Sequence, residues 1–234
     1  MKRKHFLQSI LPAATLLHTN GIDLTSQEEE EPVGPLLIPP YLKDGDTVGI
    51  TSPAGYITEK DIQPALLQLQ SWGFKVKIGN TIGKREFTFG GSDAEHAADF
   101  QQMINDPGIK AIMCARGGYG LVRIIDRLNF SKLKLHPKWI IGFSDITVLH
   151  SHLNRNTGIA SIHSKMCNSF PDDWSKAEPV QIETILSIRD CLRGIKMKYS
   201  APLNEKNRTG KAEGELIGGN LKTLESLAGS KSDI

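Results

Sequence analysis

Ala111-Ile112-Met113-Cys114-Ala115-Arg116-Gly117-Gly118-Tyr119-Gly120-Leu121-Val122-Arg123-Ile124-Ile125 and, a little further on, Trp139-Ile140-Ile141-Gly142-Phe143-Ser144-Asp145-Ile146-Thr147-Val148-Leu149 are two strand–loop–helix units in succession. In each, a short apolar run ends at glycine and an amphipathic helix begins. Two such units place their loops side by side above the carboxyl ends of a parallel sheet, where open α/β sheets hold ligands. Ser144 occupies the tight turn of the second unit and is the candidate nucleophile.

Outward from this centre, the chain alternates. Asp46 to Ser52 reads as a strand, and Thr58 with Asp61 marks a helix start whose stripe is Ile62, Ala65, Leu66 and Leu69, stopped by Gly73. Phe74 to Ile78 is a second strand. Ser92-Asp93-Ala94-Glu95 has capping-box spacing and opens a helix to Asn105, before Pro107. Ile159 to His163 reads as a further strand. The fold class is therefore α/β: a parallel-sheet N-terminal domain with helices on both faces, plus the start of a second α/β domain. That second start is Glu213-Gly214-Glu215-Leu216-Ile217, the pair Gly218-Gly219 and a helix from Asn220 through Leu227.

The expected organisation is an export signal and acidic linker over residues 1–35, the domain with the nucleophile over 36–170, a connecting segment over 171–210 with a helix from Val180 to Leu192, and an incomplete C-terminal domain over 211–234. Met1-Lys2-Arg3-Lys4-His5 is basic, and Phe6 to Leu17 is apolar but too short to span a bilayer. Arg3 to Leu7 resembles a degenerate twin-arginine signal, which points to export to the periplasm; a basic tail on a cytoplasmic protein is the other reading. Glu28 to Glu31 cannot bury and reads as a solvated linker.

Composition narrows the chemistry. In 234 residues, 39% are hydrophobic and 23% charged, enough for a core, and the net charge of +2 argues against a nucleic-acid partner. Cys114, Cys167 and Cys191 cannot all pair with one another, and neither Cys-x-x-Cys nor His-x-x-x-His spacing occurs, so no metal or other cofactor is expected. The Arg116–Gly120 loop lacks the Gly-Lys-Ser/Thr ending of a P-loop and the spacing of a dinucleotide fingerprint.

Thr51-Ser52-Pro53-Ala54, Gly90-Gly91-Ser92-Asp93, Ala115 to Gly120, Gly142 to Thr147 and Glu213 to Leu221 fall in one order, and that order resembles the LD-carboxypeptidases, the serine peptidases of the muramoyltetrapeptide carboxypeptidase and microcin-immunity type. The resemblance runs from about Pro35 onward. It implies removal of the terminal D-alanine from a cell-wall muropeptide, cutting between an L-centre and a D-residue, by metal-free enzymes that dimerise. It also implies that Ser144 is the nucleophilic serine.

The chemistry of acyl transfer suits these residues. A serine hydroxyl needs a base to take its proton and donors aimed at the developing oxyanion. The Asp145 amide and one from Gly117 or Gly118 are the candidate oxyanion donors. Arg116 and Tyr119 are candidate substrate-binding residues. Bland readings stand beside each: Ser144 as a helix N-cap, Arg116 as a brace on backbone carbonyls, Asp145 as a cap. Ile146 stands where the second glycine of Gly-x-Ser-x-Gly would fall.

The resemblance implies a catalytic glutamate and histidine located after the Gly-Gly-Asn-Leu segment, and neither maps onto a position here. His150 and His152 are expected to point away from the mouth of the turn, and His163 to sit on the rim. The expectation is therefore a truncated copy with weak or no activity and a marginally stable stretch from Glu213 to Ile234. A non-catalytic binder of peptidoglycan fragments and a small anion-binding module are the alternatives.

Overall fold

The computed structural model describes residues 36–200 and 202–234; the expected export signal and acidic linker lie outside the described residues. Five parallel strands form one sheet in the order β2-β1-β3-β4-β5, with β1 at Thr47–Thr51, β2 at Lys75–Ile78, β3 at Ile109–Cys114, β4 at Trp139–Gly142 and β5 at Ile162–His163. Register is fixed by pairs such as Val48 with Ala111 and Ile112 with Ile140. The strand order reverses between β1 and β3, so the loops leaving these strands diverge and open a crevice.

Helices cover both faces, and the central strands are apolar on both sides for that reason. On one face, α1 (Glu59–Ser71) and α6 (Pro179–Leu192) bury Ile62, Leu69, Ile185, Ile188 and Leu192 with Ala111, Met113, Trp139 and Ile141 of the sheet. On the other, α2 (Asp93–Asn105), α3 (Leu121–Ile124), α4 (Ser131–Leu135) and α5 (Thr147–Thr157) bury Phe100, Met103, Leu121, Leu133, Val148, Leu149 and Leu153 with Ile109, Ile112, Cys114 and Ile140. The period-2 alternation of a strand accounts for the division of β3 and β4 between the two cores. The helix expected as a connector is thus also a packed layer of the sheet.

The caps follow the sequence. Thr58 and Asp61 form a reciprocal box at α1, and Ser92 and Glu95 another at α2. Gly73 takes φ +87 after α1, where other residues would be strained.

Two expectations need correction. The strand expected over Ile159–His163 is regular only at Ile162–His163; upstream, Ile159 makes an isolated parallel bridge with Leu37. Glu213–Ile217 forms no strand, because no neighbouring strand is there to take its backbone hydrogen bonds, and Leu216 is fully exposed. The helix expected next does form: α7 runs Leu221–Leu227, capped by the Asn220 side chain. It packs on α5, burying Leu227, and the Asn220 amide donates to Thr147 Oγ1 at 3.0 Å. Ser232 Oγ shares a 3.0 Å hydrogen bond with His152 Nδ1, and Asn156 Nδ2 donates to the Lys231 carbonyl. The last sixteen residues are therefore tied to α5, while 202–217 lies exposed.

Candidate active site

β4 delivers the chain into a sharp turn. Phe143 is extended (φ −152, ψ −174), Ser144 flips to φ +61, and a single 3-10 turn over Ser144–Ile146 runs into α5. A left-handed conformation costs a residue with a Cβ roughly 1–2 kcal/mol. It also rules out the N-cap reading, since an N-cap residue is extended and neither turn nor helix here has a side-chain cap. Ser144 is half-buried, neither sealed in the core nor fully in solvent.

Two glycines make this turn fit. A Cβ at Gly142 would lie 2.8–3.0 Å from three side-chain atoms of Ile146, so Gly142 admits the large residue that stands in the second glycine position of an elbow. A Cβ at Gly117 would lie 3.2 Å from Ser144 Cβ and 3.3 Å from Met166 Cε. The glycine loop after β3 therefore runs directly against the serine, as the paired units imply. Among the described residues, none accepts a hydrogen bond from the amides of Gly117, Gly118 or Asp145. These three donors remain available for a developing negative charge, which is the chemical requirement of an oxyanion site.

The other candidates divide. Arg116 is exposed, and its Nη1 donates to the Tyr56 carbonyl at 2.9 Å, so bracing accounts for one of its five donors. Gly55 N donates to the Gly117 carbonyl at 3.0 Å, tying the β1 loop to the β3 loop. Tyr119 is 58% exposed and stacks at a tilt with Phe89. Asp145 is buried and caps a helix other than its own: its Oδ2 accepts from the Leu121 amide at 3.0 Å, joining the serine turn to the start of α3. Burial pushes its carboxyl pKa up, and the Leu121 hydrogen bond pulls against that shift.

His150 is the residue that sequence reasoning set aside. Both of its ring nitrogens are engaged elsewhere than at the serine: Nε2 meets the Gly142 carbonyl at 3.0 Å and Nδ1 meets Ser161 Oγ at 2.8 Å. Burial holds its pKa down to about 4, so at neutral pH the ring is neutral, donates from Nε2 to the carbonyl and accepts at Nδ1 from the serine hydroxyl. It thus clamps the last residue of β4, two before the nucleophile, onto α5. The signal was present: His150 falls on the buried stripe Ile146, Leu149, Leu153, and a polar group there must be hydrogen-bonded. His163 is exposed at the end of β5, with its ring centroid 6.4 Å from Phe143 and 5.8 Å from His150. Among the described residues, no side chain hydrogen-bonds Ser144 Oγ.

Residues 48–164 match the family model of the LD-carboxypeptidase N-terminal domain. The chain belongs to the LD-carboxypeptidase family. Within it, the chain is 36% identical over 198 residues to a probable murein peptide carboxypeptidase of Bacillus subtilis, covering 84% of this chain and 61% of the relative. It is 29% identical over 188 residues to the murein tetrapeptide carboxypeptidase of Pseudomonas aeruginosa, covering 78% and 60%. Among solved structures, the muramoyltetrapeptide carboxypeptidase of Oxalobacter formigenes aligns with TM-score 0.66 at 27% identity, covering 80% of this chain and 61% of that one. The microcin C7 self-immunity protein MccF in complex with aspartyl sulfamoyl adenosine aligns with TM-score 0.70 at 26% identity, covering 85% and 67%. The chain spans about three-fifths of the length of the curated relatives it matches.

Proposed function

We propose that this chain carries the nucleophile of a serine-type LD-carboxypeptidase that removes the terminal D-alanine from muropeptides. The observation that carries the reading is Ser144 held at φ +61 against Gly117. Left-handed backbone in a residue with a side chain persists where the surroundings over-determine it, and such strain clusters at active sites. In this reading Ser144 Oγ attacks the carbonyl of the diamino acid. The amides of Asp145 and of Gly117 or Gly118 bind the oxyanion, and Arg116 and Tyr119 contact the substrate. The hydroxyl's proton goes to a base that the described residues do not place beside it. Without that base, the oxyanion donors and substrate binding alone are worth about 10³–10⁴-fold over water in worked serine-triad cases, so slow turnover is expected of this chain. The basic-then-apolar start at Met1–Leu17 supports export and action in the periplasm, and a homodimer is what the resemblance described in the sequence implies.

The test is D-alanine release from a muramoyl tetrapeptide by the 234-residue chain and by Ser144→Ala. The expected result is slow release that depends wholly on Ser144 and is indifferent to chelators. Equal release by the variant would overturn the reading. A second reading, a non-catalytic binder of peptidoglycan fragments, is favoured by the unpartnered Ser144 Oγ; it predicts tight muropeptide binding with no release at all.

A further inference from the structure

Beside the serine turn stands a rim of aromatic rings that folding alone does not account for. The hairpin Glu86–Phe89 is closed by its own backbone pairing, and it is fastened to the β1 loop by the Gly55–Phe89 bridge and by Tyr56 N donating to the Thr88 carbonyl at 2.9 Å. Its tip is Phe87, 81% exposed and held at φ +54, so neither burial nor backbone preference explains an aromatic residue there. Phe89 lies behind it with its ring centroid 6.3 Å from that of Tyr119, and the Arg123 guanidinium covers Phe89 at 4.9 Å. Arg85 stacks at 5.0 Å over the Tyr56 ring and donates from Nε to the Phe87 carbonyl. Among the described residues neither Arg85 nor Arg116 has a carboxylate within 4 Å, although Asp61 feels the Arg116 charge from farther off, so this rim presents the exposed rings of Phe87 and Tyr119 with two cationic side chains alongside.

We infer that this hairpin rim is the subsite for the sugar end of the substrate, an N-acylated muramoyl pyranose carrying the stem peptide. The inference rests on the proposed function above. Distance selects the occupant. From Ser144 the backbone passes to Gly117 in direct contact, from Gly117 to Gly55 by one hydrogen bond, and from Gly55 to Phe89 by one bridge. Counted from Gly117, whose amide holds the scissile carbonyl oxygen in the proposed reading, the two remaining pairings span at most about 10 Å, at roughly 5 Å each. The three residues upstream of the cleaved bond in a tetrapeptide reach about 10–11 Å when extended. With the scissile carbonyl at Ser144, the sugar therefore falls on the hairpin. A pyranose has an apolar C–H face that packs on an aromatic ring, and aromatic surfaces with a few convergent polar groups are what small-molecule subsites are made of. The two arginines favour a peptide that carries carboxylates.

The test is a calorimetric titration of the full chain with a muramoyl tetrapeptide and with the same tetrapeptide lacking the sugar, in the natural protein, in Phe87→Ala and in Phe87→Gly, which keeps the left-handed backbone. The natural protein should prefer the sugar-bearing ligand. Both variants should lose about three- to tenfold for that ligand, the size of one aromatic contact, with the sugar-free affinity unchanged. An equal loss for both ligands, or no loss for either, overturns the inference. So does a loss confined to aspartyl sulfamoyl adenosine, run as a third ligand, which would make the rim a nucleoside site. Ser144-dependent D-alanine release from the sugar-free tetrapeptide separates the two levels: if it occurs while Phe87 proves indifferent to the sugar, only the subsite fails. If neither peptide binds or turns over, the proposed function fails with it.

Discussion

The two strand–loop–helix units at the centre of the sheet solve the same problem differently. After β3, the chain turns through Gly117, Gly118 and Gly120, with φ of +123 and +146 at the last two, conformations that cost a glycine little. After β4, the equally sharp turn is made by Ser144 at φ +61, where a glycine would be easier. The first loop supplies close backbone approach and amides. The second accepts strain to hold a hydroxyl at the same spot. Backbone conformation alone would favour glycine in both, so the difference marks position 144 as one where the side chain matters more than stability.

The most damaging way to disturb that pairing is to fill the gap between the loops. Gly117→Ala puts a methyl 3.2 Å from Ser144 Cβ. Misplacing one oxyanion donor costs about 10²–10³-fold in worked cases, so D-alanine release should fall by that order while thermal unfolding barely moves. An unchanged rate would separate the two loops functionally.

Gly142→Ala drives a methyl into Ile146, and overpacking of this kind costs about 1–3 kcal/mol. Urea unfolding should show it. Introduced into an Ile146→Ala background, which lacks both Cγ atoms that the new methyl would meet, Gly142→Ala should cost clearly less; if it costs as much, the close approach of these residues is not the cause.

His150→Phe leaves the Gly142 carbonyl without its side-chain donor, although Ser164 N still donates to it, and should cost about 1–2 kcal/mol. It should also change the acid response. The folded pKa of His150 is about 4, below the unfolded value of about 6.5. The unfolded chain therefore binds the proton first, and the stability from burying the neutral ring is full above pH 6.5 and lost as pH falls toward 4. His96, His152 and His163 shift the same way through burial, so acid destabilisation should persist in the variant but be shallower between pH 6.5 and 4. An unchanged slope would mean that His150 is not buried neutral.

The smallest effect concerns Ser144 itself. Ser144→Gly relieves the left-handed strain, and the melting point should rise by the equivalent of about 1 kcal/mol, even as labelling and turnover vanish. A lower melting point would deny the strain.

Much of this centre was legible in the sequence because its signals are local. The capping boxes at Ser92 and Thr58 set helix starts, and the apolar runs at 111–114 and 139–141 are continuous because both sheet faces are covered. What escaped depends on partners distant in the chain. Asp145 caps α3 rather than its own helix because Leu121 arrives there only when β3 and β4 lie side by side. Glu213–Ile217 alternates like a strand, but alternation makes no strand without a neighbour. The hairpin at Glu86–Phe89 left no trace in the pattern, since one exposed aromatic at a positive φ violates the usual turn chemistry.

The central claim is that the hydroxyl at position 144 is set up to attack an acyl carbon beside the 116–120 loop. Treating the folded chain with a fluorophosphonate and mapping the adduct by peptide mass spectrometry tests it most directly. The expected result is slow labelling, lost on denaturation, with the adduct on Ser144 ahead of the other serines. Adducts spread evenly over the surface serines, with Ser144 spared, would contradict it.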